Sequence, residues 1–235
     1  MVGMKFGSTG REAETWAINA FLPGVVAQRF RRSRFVIFSS GNVYPLTPVV
    51  QGGCTEETSP APIGEYAQSV LGRERIFEYF AREFEIPTLF FRLNYAVELR
   101  YGVLVDIALK VASGEPVDVS MGHVNVIWQG DANAMALRSL ALADTPPRTL
   151  NVTGPEILSV RFLAQEFGRL LGKEAVIVGA EQPDALLSNA QRAHALLGYP
   201  RVPVGIAIRW IAHWIQQGGP ILGKPTKFQV RNGRF

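Results

Sequence analysis

Residues 34–45, RFVIFSSGNVYP, decide how the rest of the chain is read. The apolar run from Phe35 to Phe38 is too short for a helix, and it ends in the small polar pair Ser39 and Ser40. That pattern predicts a strand buried on both faces, as in a parallel sheet. PTLFFRLN (87–94) is a second such run and ends at Asn94. Between the two lies GEYAQSVLGRERIFEYF (64–80), where Tyr66, Val70, Phe77 and Phe80 recur at helical spacing and Phe84 continues the stripe.

The alternation continues outward. GVLVDIALKVASG (102–114) predicts a helix closed by Gly114, and HVNVIWQ (123–129) a strand. DANAMALRSLALA (131–143) predicts a helix with Asp131 as its cap, followed by a strand in TLNVTG (149–154). Ser159 opens a helix whose core face is Val160, Leu163, Phe167 and Leu171. EAVIVG (174–179) is a further strand, and VGIAIRWIAHWIQQGG (204–219) a final amphipathic helix. Residues 45–63, rich in Pro, Gly and Thr, read as a loop. Strands alternating with helices predict an α/β fold around a parallel sheet, with ligands at the carboxyl ends of the strands. Ser39, Ser40 and Asn94 stand at those ends.

Composition removes several classes. Hydrophobic residues make up 47% of the 235 and charged residues 19%, the balance of a folded domain. No apolar run reaches the roughly 18–20 residues of a membrane span. The first residues have no apolar signal-peptide core, and the single cysteine, Cys54, rules out an internal disulfide framework and fits a reducing cytoplasm. Basic residues cluster in RFRRSR (29–34) and in the tail GKPTKFQVRNGRF (223–235), but neither has the fold motif of a nucleic-acid reader. The three histidines, His123, His194 and His213, lie on different predicted elements without carboxylates at ligand spacing, so no metal site is expected.

Five segments together resemble the extended short-chain dehydrogenase/reductase family, the NAD-dependent epimerases and dehydratases. VIFSSGNVYP is similar to the family's Ser-Ser-x-x-Val-Tyr segment, and EYAQS to the one carrying its catalytic tyrosine. FFRLNYAV resembles the strand and loop beside the nicotinamide, NVIWQGDANA a strand–Asp–helix segment, and LNVTGPEILSVRFLAQEFGRLLG a substrate-domain segment. The resemblance implies a partial Rossmann-like, doubly wound parallel sheet with a small C-terminal α/β substrate domain. Residues 1–94 with about 115–150 would form the dinucleotide-binding part, and about 95–114 with 151–235 the substrate-binding part. It also implies NAD or NADP as cofactor, a sugar-type or nucleotide-sugar substrate, and a homodimer through the 65–84 helix.

Residue by residue, the resemblance makes Tyr66 the proton-transfer residue and Ser40 the group that orients the substrate hydroxyl. Gly3, Lys5, Asn19, Ser39 and Tyr66 fall at cofactor-binding positions, and Ser40, Asn42, Asn94 and His123 at substrate-binding ones. The chain departs from the family in two ways. It contains no GxxGxxG turn, and its opening VGMKFGSTG resembles the family's segment after its fourth strand, as if the first three strands and the Gly-rich loop were missing. The second departure is Val70, which stands where the family has a lysine four residues after the tyrosine.

That second departure matters energetically. A phenol titrates near pH 10, so bringing it to neutrality takes about 4 kcal/mol of preferential phenolate stabilisation. A nearby cation supplies part of this, and valine supplies none. Two substitutes are expected: the positive nicotinamide ring of NAD+, and Lys5, since GMKFGSTG resembles a family segment that places a lysine beside the cofactor. The alternatives are a non-catalytic relative acting as a binding module, or an inactive fragment of a longer enzyme.

Overall fold

The computed structural model describes Gly3, Met4 and residues 9–234. The chain enters through α1 (Glu12–Trp16), a π-helical turn (Ala17–Phe21) and α2 (Leu22–Arg29), which run on from one another. β1 (Phe35–Ser40) follows, then a 3₁₀ turn (Gly41–Val43) and the two-residue β2 (Thr47–Pro48). After the loop come α3 (Glu65–Glu83), β3 (Thr88–Leu93) and β4 (Ala96–Val97). Then come α4 (Val103–Ser113), β5 (Val117–Asp118), β6 (His123–Val124), β7 (Ile127–Trp128) and α5 (Gln129–Ser139). β8 (Arg148–Val152), β9 (Leu158–Ser159) and α6 (Val160–Leu171) precede β10 (Ile177–Val178) and β11 (Asp184–Ala185). The last helices are α7 (Gln191–Leu197) and α8 (Val204–Gln216).

The main sheet is parallel, in the order β1–β3–β8. Period-two alternation assigns its side chains to opposite faces. Leu89, Phe91, Leu150 and Val152 pack with Met135 and Ala136 of α5 and Ala193 and Leu197 of α7. Phe90, Phe35 and Ile37 pack instead with Ala27 of α2 and Phe77 and Ala81 of α3. Helices thus cover both faces, which is why these strands read as continuous apolar runs. A separate core joins α4, α6 and α8 and takes in Phe228 from the tail.

The register brings the strand ends level. Ser40 lies opposite Leu93, and Leu93 opposite Val152. The Asn94 N–H donates to the Val152 carbonyl at 2.9 Å, so the strand-end loops start from a common edge.

Several local expectations hold in detail. Ser159 caps α6 by accepting from the Phe162 N–H, and Gly114 closes α4 in the left-handed conformation. Others differ. HVNVIWQ is not one strand: β6 pairs antiparallel with β9, while β7 pairs parallel with β4. Asp131 does not cap its own helix, which begins two residues earlier. Its buried carboxylate accepts from the Val202 N–H at 2.9 Å, tying down the loop ahead of α8. His213, placed by its apolar neighbours in a core or interface, is exposed on α8.

Candidate active site

Ser40 is the last residue of β1, and its hydroxyl accepts from both the backbone N–H and the side-chain amide of Asn42, each at 3.2 Å. The 3₁₀ turn that follows folds Asn42 back over the strand end. Tyr66 stands in the first turn of α3, with its phenol hydrogen-bonded to Ser40. A 19-residue helix directs its partial positive end at this point, which favours negative charge there by about 0.3–1 kcal/mol. Gly64, just before α3, has φ of +84°, and the carbonyl of Gly233 lies where a Cβ would be. Only glycine lets the tail pass so close to the entry of this helix.

Burial raises the Tyr66 phenol above its ordinary value. The Arg73 charge and the hydrogen bond with Ser40 act in the opposite direction. Val70 contributes only packing, in a cluster with Val43, Tyr44, Cys54 and Tyr66 itself. Tyr101 is coupled to Tyr66 and is pushed up to about 12, by burial first and then by the charges of Asp106 and Tyr66. Tyr95 is raised too, by burial and by Tyr101, and its φ of +42° puts it in the left-handed region, uncommon for an aromatic residue.

Behind Tyr66, Asn19 sits fully buried in the π-helical turn. Its side-chain oxygen accepts from the Met4 N–H and from Arg73, both at 2.8 Å. Its amide donates to the Met4 carbonyl (3.1 Å) and to the Ser69 hydroxyl (3.0 Å), and Ser69 in turn donates to the Tyr66 carbonyl (2.8 Å). Gly3 rests on this group, and a Cβ there would lie 3.3 Å from the Arg73 guanidinium. Asn19 therefore joins the 3–4 segment to the helix carrying Tyr66. Lys5 lies outside the described residues.

Of the remaining sequence-derived residues, Asn94 adjoins the turn after Ser40, while Ser39 and His123 are engaged elsewhere. Ser39, Arg92 and Asn151 occupy one row across the sheet. The Ser39 hydroxyl donates to Glu74 at 2.5 Å, so it points into α3 and away from the Ser40–Tyr66 edge. Arg92 donates to both Glu74 oxygens (2.9 and 2.6 Å) and to the Tyr44 hydroxyl (2.7 Å), which donates to Asn151 (2.9 Å). This network was missed in the sequence. Its signal is a glutamate between Val70 and Phe77 on an apolar helix face, and an arginine inside LFFRL: two charges on buried elements that need one another.

Asn94 is buried, and its amide donates to Asn125 at 2.7 Å, bracing the loops beneath the site. His123 lies on β6 opposite Ser159, its ring close enough to influence Glu181, and it is not among the residues lining the cleft beside Asn42. That cleft holds a cavity of about 20 Å³ between Asn42, Tyr44, Tyr95 and Met121 on one side and Thr226, Val230, Arg231 and Gly233 of the tail on the other. Arg231 anchors the tail by pairing with Asp184, and Thr226 does so through Asp106.

Among the described residues no group of His, Cys, Asp or Glu has the arrangement of a metal site. For a nicotinamide dinucleotide the fit is divided. The Ser40–Tyr66 pair at a strand end, with a guanidinium behind it, suits the nicotinamide end. A Gly-rich turn to hold the pyrophosphate is absent from the 235 residues.

No protein-family model and no curated protein matches the chain. Solved structures do. The chain is similar to MoeE5 in complex with UDP-glucuronic acid and NAD, at 18% identity and a TM-score of 0.76, over 93% of this chain and 78% of that one. It is similar to the UDP-glucuronic acid 4-epimerase of Bacillus cereus in complex with NAD (16% identity, TM-score 0.78, 92% and 73% covered). It is also similar to the UDP-glucose 4-epimerase of Thermus thermophilus in complex with NAD (18%, 0.75, 91% and 75%). At these identities the likeness establishes the fold: a Rossmann-like α/β architecture shared with NAD-bound UDP-sugar epimerases over most of this chain.

Proposed function

We propose that the chain is an NAD(P)-linked enzyme acting on a sugar or nucleotide sugar, with Tyr66 as the proton-transfer residue and Ser40 orienting the substrate hydroxyl. One observation carries the reading: the Tyr66 phenol and the Ser40 hydroxyl are hydrogen-bonded at the carboxyl end of a parallel strand, in a fold whose solved examples hold NAD and UDP-sugars. The cofactor, when bound, supplies a hydride acceptor or donor. The chain's own part is proton handling. Tyr66 exchanges a proton with the substrate hydroxyl, Ser40 donates to the same oxygen and holds it in line, and Asn42 fixes the Ser40 rotamer.

The test is a fluorescence titration of the full chain with NADH and NADPH, followed by turnover assays on UDP-glucose and UDP-glucuronic acid. Saturable binding of one cofactor with turnover supports the reading. A folded chain that binds neither sinks it.

A binding module without catalysis is the second reading. It is favoured by the apolar Val70 and by the burial that raises the Tyr66 phenol, away from neutrality. Tyr66→Phe separates the two, because unchanged ligand affinity with no turnover in either form identifies the module. A homodimer through α3 belongs to the same proposal, since Phe21, Val25 and Tyr79 are exposed on the π-helical turn, α2 and α3. Sedimentation at several concentrations checks it. No helix among the described residues is long and apolar enough to cross a membrane, and a cytoplasmic location is proposed on the single, unpaired cysteine.

A further inference from the structure

Arg73 lies seven residues after Tyr66, two turns along the same face of α3. Its guanidinium is partly buried. It reaches back toward the strand end and makes three hydrogen bonds, donating to the Phe38 carbonyl (2.6 Å), the Asn19 carbonyl (2.9 Å) and the Asn19 side-chain oxygen (2.8 Å). All three acceptors are neutral. The adjacent carboxylate, Glu74, is committed to Arg92 and Ser39. Arg73 therefore holds a partly buried charge that its hydrogen-bond partners orient without cancelling.

Residue type matters at this place. Desolvation strips the proton from a buried ammonium readily, and it lowers Arg73 too. A guanidinium starts so high that it stays charged regardless.

We propose that Arg73 is a positioning residue for Tyr66: it holds a permanent positive charge behind the phenol, replacing from two turns away the cation that Val70 does not supply. The inference rests on the proposed proton-transfer role of Tyr66. It is independent of Lys5, which lies outside the described residues. Other groups facing the phenol are Ser40 from the end of β1, Tyr44 and Cys54 in the cluster beside it, and Tyr101 ahead of α4, with Asp106 behind that. Among the described residues, Arg73 is the cation that acts on Tyr66.

The experiment reads the phenol directly, without substrate or cofactor. Tyrosinate absorbance is followed after stopped-flow pH jumps on the full chain, before alkaline unfolding, and Tyr66 is isolated by subtracting a Tyr66→Phe variant. A Tyr101→Phe background removes the coupled phenol. In Arg73→Gln and Arg73→Met, two neutral side chains of different shape, the Tyr66 midpoint is expected to move upward by the same amount. Arg73→Lys is expected to follow them, because a buried ammonium is neutral by the pH at which this phenol titrates. Near-ultraviolet circular dichroism identifies which variants keep the fold, and any one folded neutral variant suffices. A Tyr66 midpoint unchanged in either, or shifts that track side-chain shape instead of charge, overturns the proposal. Failure of the parent chain to bind either NADH or NADPH would overturn the enzyme reading alone and leave this titration standing. If the parent turns over, rates at neutral pH in Arg73→Gln should fall about tenfold and recover toward alkaline pH.

Discussion

Arg73 and Glu74 are neighbours on α3, yet they end in two regions that treat charge in opposite ways. Glu74 meets Arg92 bidentately, with Ser39, Tyr44 and Asn151 completing the shell, so that both charges are buried and cancelled. Arg73, one residue earlier, is held by neutral oxygens, and its charge acts on Tyr66 as well as on the adjacent Glu74. The first arrangement is typical of a rigid scaffold, where every polar group has a partner. The second is what a proton-transfer site needs, because a neutralised cation has little effect on a phenol. One helix serves both regions, since successive residues point about 100° apart around its axis.

The largest expected effect breaks the closed region. Glu74→Gln leaves Arg92 buried without its counter-ion and should cost about 3–5 kcal/mol of stability, read by urea denaturation. The paired change Glu74→Gln with Arg92→Met should recover much of that loss, and a double variant no better than the single would show that the network is not acting as an ion pair. In the open region, Tyr66→Phe should reverse the balance: turnover falls by roughly 10²–10⁴ while the urea midpoint barely moves. A large stability loss there would make Tyr66 a packing residue instead.

Tyr44→Phe sharpens the boundary between the two. It removes a hydroxyl that joins Arg92 to Asn151 and should cost about 1–3 kcal/mol with cofactor affinity unchanged. The smallest effect is a pH dependence. Tyr101, Tyr44 and Tyr66 are all raised by burial, so the folded chain holds their protons where the unfolded chain has released them. The stabilisation from Tyr101 is complete below about pH 10 and is lost as pH rises toward about 12, and Tyr44 and Tyr66 act in the same direction. Tyr101→Phe should flatten this alkaline loss in a denaturation series, and an unchanged slope would refute the assignment.

The legibility of the molecule follows the same division. Strands such as Phe35–Ser40 and helices such as Glu65–Glu83 were readable because burial on two faces and on one face leave different periodicities. Ser159 and Gly114 were readable because a cap is a contact made within a few residues. Asp131 was misread as a local cap when its partner is 71 residues away. Arg73 was passed over since nothing in GRERIF indicates that it turns inward toward residues 19 and 38.

What the sequence determined by itself was the alternation of the main strands and helices, the placement of Ser40 and Asn94 at the carboxyl ends of two strands, and the helical placement of Tyr66. These follow from steric and hydrophobic preferences that act over a few residues. Tertiary structure alone decided which charges cancel. Glu74 and Arg92 are 18 residues apart, while Arg73 and Asn19 are 54 apart. Whether a buried charge is neutralised or left to act depends on which distant groups the fold brings within about 3 Å of it, and no local pattern encodes that distance.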